Sequence, residues 1–322
     1  MEKYKMAIVG ATGLVGQTIL KVLKEEDLFD KFQIHLYVSS RSAGKEYLWF
    51  GRTFRLVELS QKALEQNYDV VLFSAGTEVS KVWVQKFAES GSYVIDNTNA
   101  FRRCEDVPLV VPEINGGLIN KTTNIISNPN CSTIELAIVV DKLRRLSKVN
   151  KIIVSTYQSV SGAGRKGLYD LKNNAKNVFK CGINGNIIAK IGDFDKKGYS
   201  TEENKLMFEL SKILNEKIDT LATAVRVPIE FCHGESVYVQ FETDVEIEKA
   251  KKELECDYIK VAKDDLFYPT EVAGTNDTYV CRMRQPSKKE LQFFVFADNL
   301  RRGAAYNAVM ILKILYNSRF YK

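Results

Sequence analysis

The turn Gly10-Ala11-Thr12-Gly13-Leu14-Val15-Gly16 constrains this chain more than any other feature, because it follows the apolar run MAIV and opens the helix-like stretch GQTILKVLKEE. Glycines at G-x-x-G-x-x-G spacing let the backbone approach a diphosphate, whose charge then rests on the amides and positive end of the next helix. Such a turn is a weak signal alone, and its setting is what gives it weight. Here the pattern continues as IHLYV, DVVLFSAG with SKVWVQKFAES, and SYVIDN. Short apolar runs alternating with helices mark βαβ units around a parallel sheet. The N-terminal part is therefore expected to be an α/β dinucleotide-binding domain.

Where the second strand ends, an NAD site normally offers a carboxylate to the ribose hydroxyls. This chain has Ser39-Ser40-Arg41-Ser42-Ala43-Gly44-Lys45 instead. A guanidinium and hydroxyls suit the 2′-phosphate of NADP, and the other reading is an ordinary solvated basic loop.

At 322 residues the chain exceeds one hydrophobic core. VPLVVPEI and NIISNPN read as further strands, and CSTIELAIVVDKLRRL as an amphipathic helix with a basic C-terminal end. From Lys151 the strands lengthen (KIIVSTYQSVS, ESVYVQFETDVEI) around one helix near TEENKLMFELSKILNEK, which predicts an α+β domain with an antiparallel or mixed sheet. NLRRGAAYNAVMILKILYNS is helical again and is expected to return to the first domain. The expected division is 1–127 with 300–322, and 128–299. The net charge of +6 is spread among acidic residues, so no nucleic-acid footprint is expected and a small anionic ligand fits better. No stretch approaches ~18 apolar residues and the start runs straight into a strand, so no membrane association is expected and the location is read as cytoplasmic. Six cysteines without a C-x-x-C pair predict free thiols and no metal.

One of them is set apart. Cys131, in Ser127-Asn128-Pro129-Asn130-Cys131-Ser132-Thr133, lies where a strand pattern gives way to the long helix. A thiol ordinarily ionises near pH ~8.5, and a helix N-terminus favours the reactive thiolate. The competing reading is a small packing residue, since unpaired cysteines are usually buried. A thiol beside a nicotinamide makes chemical sense, because adding it to an aldehyde creates the alkoxide that expels hydride. Of only two histidines, His233 in RVPIEFCHGES is the available acid–base group, and His35, within the second strand pattern, reads as structural. Cys232 and His233 are neighbours on a strand and face opposite ways, which excludes a mutually activating pair.

With GATGLVG, SSRSAGK, FSAGTEVS, DNTNAFRRCEDVPLVVPEIN, NPNCST, YQSVSGAG, TEENK, RVPIEFCHGES and FADNLRRGAAYNA in this order, the chain resembles the bacterial aspartate-semialdehyde dehydrogenases along nearly its whole length. The resemblance implies a Rossmann-type domain followed by an α+β catalytic and dimerisation domain of the glyceraldehyde-3-phosphate-dehydrogenase-like kind. It implies NADP as cofactor, a homodimer, and reduction of 4-phospho-L-aspartate to L-aspartate 4-semialdehyde and phosphate through a thioester, on the way to lysine, methionine and threonine. Cys131 resembles the nucleophile, Gln158 the residue that orients the acyl intermediate, and His233 the acid–base catalyst. Arg226 resembles the clamp on the substrate α-carboxylate, Glu202 the contact to its amino group, and Arg102, Asn130 and Lys205 the phosphate-binding set. The cofactor positions implied are Gly10, Thr12, Gly13, Leu14, Val15, Gly16, Ser39, Arg41, Ser42, Ser74, Ala75, Gly76, Ser161, Gly162 and Asn299.

Read without the resemblance, Glu202 and Lys205 are an ordinary i,i+3 helix pair and Arg102 and Arg103 are surface charges. Two departures stand out: Cys232 where the subgroup often has Gly, and an Asn-rich segment (173–192), read as a mobile subdomain, where relatives are longer. N-acetyl-glutamyl-phosphate reductase is the nearest rival, with a cysteine motif nearer NPGCY and no need for an acidic partner to a free amine. A non-catalytic NADP-binding sensor would require the glycine turn alone.

Overall fold

The computed structural model describes residues 3–120, 122–262 and 266–320, so the expected domain limits at residues 1 and 322 lie outside the described residues. The chain divides into two compact units, Met1–Pro129 with Ala304–Lys322, and Asn130–Gly303.

The first unit runs β1 (Tyr4–Val9), α1 (Leu14–Glu25), β2 (Phe32–Val38), β3 (Glu46–Trp49), β4 (Arg52–Glu58), β5 (Val70–Phe73), α2 (Thr77–Glu89), β6 (Tyr93–Asp96), α3 (Pro112–Asn115) and β7 (Ile125–Ser127). The sheet order is β3-β4-β2-β1-β5-β6-β7, parallel except for β3 against β4. Period-two alternation splits its apolar side chains between two cores. Ile8, Leu36 and Leu72 face one layer with Ile19, Leu20 and Leu23 of α1 and with Val309 and Leu312 of the C-terminal helix Tyr306–Leu315. Ala7, Val9, Val71 and Phe73 face the other, with Val84 and Phe87 of α2. Chain order reverses between β1 and β5, the place where an open parallel sheet leaves a crevice beyond its strand ends. His35 is structural here, its Nδ1 2.6 Å from the Tyr68 hydroxyl.

VPLVVPEI does not form the expected strand: Leu109 makes one bridge to Ser127, and Pro112 starts α3. Proline removes the N–H that a strand needs and suits the first turn of a helix.

The second unit runs α4 (Cys131–Leu143), β8 (Val149–Gln158), α5 (Gly164–Asn173), α6 (Thr201–Leu214), β9 (Asp219–Arg226), β10 (His233–Phe241), α7 (Ile247–Leu254), β11 (Ile259–Val261), α8 (Pro269–Val272), β12 (Thr278–Arg284) and β13 (Glu290–Ala297). Its mixed sheet has the order β11-β12-β13-β10-β8-β9. α4 packs against α6, α7, β10 and β13 and is buried from Ser132 to Asp141, so the expectation of an amphipathic helix is corrected. A helix apolar nearly all round belongs inside. The Asn-rich segment is anchored: the Asp170 carboxylate accepts the backbone N–H groups of Asn177, Val178 and Phe179, and Phe179 and Ile183 pack on Val160.

Gly16 has little room for a side chain, since a Cβ there would run into the Gly10 carbonyl oxygen and lie 2.8 Å from Ala11 Cα. Gly16→Ala is expected to lower stability by about 1–3 kcal/mol in chemical denaturation, the usual cost of overpacking.

Candidate active site

Three strands of the second sheet bring the motif residues into one row. Gln158 ends β8, Arg226 ends β9 and His233 begins β10, and in register Gln158 lies opposite both Arg226 and His233. Residues level with one another on paired strands point to one face, and all three are buried on the side that α4 covers.

Cys131 is the first residue of α4 and is partly exposed, with its thiol reduced. Asn130 caps the helix: its Oδ1 accepts from Ser132 N at 3.1 Å, its Nδ2 donates to Glu202 Oε1 at 2.9 Å, and its own N–H donates to Glu209 Oε2 at 2.6 Å. Gln158 Nε2 donates to Ser132 Oγ at 2.7 Å and Glu202 Oε1 at 3.2 Å, which ties β8 to the first turn of α4. On the other flank Gly303 presses on Cys131, where a Cβ would stand 2.7 Å from Cys131 Cβ.

The acids of α6 divide their labour. Glu203 closes a capping box with Ser200 and accepts from Ala224 N of β9 at 2.9 Å, a structural task. Glu202 is buried, and its Oε2 pairs with Lys205 Nζ at 3.1 Å. Burial opposes its charge, but the Lys205 ammonium, the Asn130 amide and the Arg226 guanidinium outweigh it and hold the carboxyl at about 2. Arg226 donates from Nη1 to Ser159 O at 2.6 Å, and a Cβ on Gly162 would come within 2.8 Å of that nitrogen.

His233 turns Nδ1 to Ser159, whose N–H donates at 3.1 Å and whose Oγ lies 3.2 Å away. The hydroxyl donates onward to Asn299 Oδ1, which also accepts from Ser161 Oγ and Cys232 N. Nδ1 can thus accept from the N–H or donate to the hydroxyl. Nε2 is buried without a hydrogen-bond partner among the described residues. Burial, then the charge of Arg226, drive the imidazole down to about 3, so it is neutral at physiological pH. Cys232, just before it, has φ +70°, a left-handed conformation that costs a side-chain-bearing residue about 1–3 kcal/mol.

In the first unit, a Cβ on Gly10 (φ +86°) would meet the Ser74 backbone at 2.7 Å, so the first glycine turn and the segment after β5 fit only without it. Gly13 caps α1 with no side-chain hydrogen bond, and no acidic residue lies in the first turn that contains Leu14, Val15 and Gly16. This bare, positive helix end fits a diphosphate. Thr12 lies within the turn, Ala75 follows β5, and Gly76 (φ +95°) caps α2. Arg41 is exposed on a loop where Ser42 N and Ala43 N both donate to Ser39 O. Arg102 is buried in this unit and donates to Asn97 O at 2.8 Å. Of the expected phosphate set, Asn130 and Lys205 meet at Glu202 in the second unit, Asn130 with its polar groups used in capping. Ser161 and Gly162 lie in the turn Val160–Ala163 beside Arg226 and His233. Among the described residues no cluster of three or more His, Cys, Asp or Glu could hold a metal ion, and no helix is long and apolar enough to cross a membrane.

Sequence reasoning passed over Ser132, Ser159, Glu209 and Gly303. Glu209 lies seven residues after Glu202 and so shares its helix face, a signal that was available. Nothing local in LRRGAA marks Gly303 as a neighbour of Cys131.

Because the folded Glu202 carboxyl sits below its ordinary 4.5, its stabilisation is complete above that pH and is lost as pH falls toward about 2. Between those limits wild-type stability to urea is expected to fall by up to about 3 kcal/mol more than that of Glu202→Gln.

The family models that match are the semialdehyde dehydrogenase NAD binding domain over residues 5–122 and the semialdehyde dehydrogenase dimerisation domain over residues 141–302. The aspartate-semialdehyde dehydrogenase of Aquifex aeolicus is 39% identical, with 97% of this chain and 98% of that one covered. The crystal structure of aspartate-semialdehyde dehydrogenase II from Vibrio cholerae complexed with ASA superposes with a TM-score of 0.95 at 36% identity, covering 99% of this chain and 100% of that one. The aspartate-semialdehyde dehydrogenase of Candida albicans with NADP has a TM-score of 0.77 at 26% identity, with 98% of each chain covered. The first unit is accordingly a nicotinamide-dinucleotide-binding domain. The chain belongs to the aspartate-semialdehyde dehydrogenase family.

Proposed function

We propose that this enzyme reduces 4-phospho-L-aspartate to L-aspartate 4-semialdehyde, releasing phosphate, through a thioester on Cys131. The observation that carries the reading is the buried row of Arg226, Gln158 and His233 on the face covered by the helix that Cys131 begins.

The Cys131 sulfur attacks the acyl carbon, and the bond from carbon to the phosphate oxygen breaks. The first-turn amides of α4 favour negative charge on sulfur. His233, neutral and with Nδ1 turned to Ser159, exchanges the thiol proton at Nε2. Gln158, fixed by Ser132 and Glu202, orients the acyl group. Nicotinamide dinucleotide, when bound, supplies the hydride that reduces the thioester carbon. Collapse of the resulting hemithioacetal returns the sulfur and frees the aldehyde. Arg226 offers a planar fork to the α-carboxylate. The ionised Glu202 offers a counter-charge to the ammonium, which an acetylated amine would not use. Arg102, Asn130 and Lys205 are assigned to phosphate.

The cofactor is NADP, with Arg41, Ser39 and Ser42 at its 2′-phosphate. The reading is supported by an exposed guanidinium where an NAD site has a carboxylate, and by the Candida albicans relative with NADP. The working form is a homodimer. Ile153, Tyr157 and Leu221, 43%, 40% and 38% exposed, form an uncovered apolar strip on the sheet face away from α4, and Tyr157 stacks on Phe294 at 5.7 Å. This strip suits a second copy.

Phosphate-dependent reduction of NADP is expected with aspartate semialdehyde and not with N-acetylglutamate semialdehyde, and Cys131→Ala is expected to abolish it. Unchanged turnover in that variant overturns the mechanism, and activity confined to the acetylated aldehyde overturns the substrate. Arg41→Ala is expected to raise KM for NADP about tenfold while leaving that for NAD nearly unchanged, the loss of one charge-assisted phosphate contact.

A further inference from the structure

Glu135 and Glu235 are fully buried in the second unit, and the scheme above uses neither. Two helix and strand periods bring them together. Cys131 and Glu135 are four apart on α4 and share a face, and His233 and Glu235 are two apart on β10 and share a face. Glu235 stands between Thr156 of β8 and Val295 of β13, one pleat further along the sheet than the row of Gln158 and His233. α4 packs on β10, and the two carboxyls lie within hydrogen-bonding reach of each other. All four of their oxygens lack a donor among the described residues.

Two adjacent dry carboxylates cannot both ionise, and a bond between two carboxyls requires a proton on one. Burial first, then the charge of its partner and of Cys131, pushes Glu135 well above the carboxylate range, and burial pushes Glu235 the same way. The other groups facing the pair are few. Cys131 is on α4, Cys232 immediately precedes β10 and His233 begins it. Asp298, after β13, adjoins Cys232, and buried Arg302 lies over the Tyr258 ring. From α6, Glu202 and Glu209 engage Asn130 at the helix cap. Negative charge on Cys131 opposes ionisation of Glu135, and by reciprocity an ionised pair opposes negative charge on the sulfur.

We propose that Glu135 and Glu235 form a protonated carboxyl pair that positions Cys131 against β10 and keeps negative charge away from the reacting sulfur. The proposal rests on Cys131 as the nucleophile. Both glutamates are positioning residues, since they act through the thiol and not on substrate. Loss of a proton from the pair at alkaline pH places an anion behind the sulfur, so kcat/KM falls on that limb.

Glu135→Gln/Glu235→Gln keeps the shape and a carboxamide-to-carboxamide hydrogen bond but has no proton to lose. Infrared titration of the wild-type enzyme is expected to show a protonated-carboxyl carbonyl band at neutral pH that disappears in alkali and is absent from the double variant. The alkaline limb of kcat/KM is expected to move up by at least about half a pH unit in the double variant, roughly threefold in rate on that limb. Glu135→Gln alone serves if the double variant does not fold. Its carboxamide donates to Glu235 and eases ionisation, so its limb is expected to move down. A wild-type spectrum without the band, or one pH profile shared by the variants and the wild type, overturns the proposal. The infrared band is read without substrate, so failure of the aspartyl substrate alone would count against the proposed reaction and not against the pair.

Discussion

Burying an ionised carboxylate costs several kcal/mol unless donors surround it, and the second unit surrounds Glu202 with donors from three elements. Asn130 reaches it from the start of α4, Gln158 from the end of β8 and Lys205 from its own helix. Meeting the demands of that one charge fixes where α4 begins relative to the sheet. Glu209 adds a second brace by accepting the Asn130 N–H, and Glu203 joins the same helix to β9. The position of Cys131 is therefore set by acids two turns apart on another helix.

The charges around the thiol are sorted by depth. Arg226 and Lys205 are cations that both act on one buried anion, Glu202, so opposite charges stand together near the start of α4. Behind it the titratable groups are held uncharged, the imidazole by burial and by Arg226, the carboxyl pair by burial and by each other. A neutral backing strengthens every interaction of the charged front, because little water or counter-charge remains to screen it.

Period and spacing made the first unit legible. The glycine turn, the alternating strands and the helices they connect all lie within windows of about thirty residues, and each reports its own secondary structure. VPLVVPEI failed because two prolines outweigh an apolar run. CSTIELAIVVDKLRRL reads as amphipathic because polar residues within a helix pattern suggest a wet face, whereas Glu135 is fully buried and Asp141 meets Arg144 and Arg145. Motifs pointed to Gln158, Arg226 and His233 one at a time. That they stand level depends on strand register, which joins residues far apart in the chain and leaves no local trace. Gly303 at Cys131 is invisible for the same reason.

The chain enters the second unit at Asn130 and leaves it at Gly303, and those two points touch at Cys131. The first unit is thus interrupted, and its final helix comes last. Val309 and Leu312 cover the same face of the parallel sheet as α1. On the ribosome, where chains emerge N-terminus first, that sheet must wait with one layer unfinished while the entire second unit is made. The first half of this protein is consequently the part most in need of protection during synthesis, although it is the half whose folding pattern is the plainest to read.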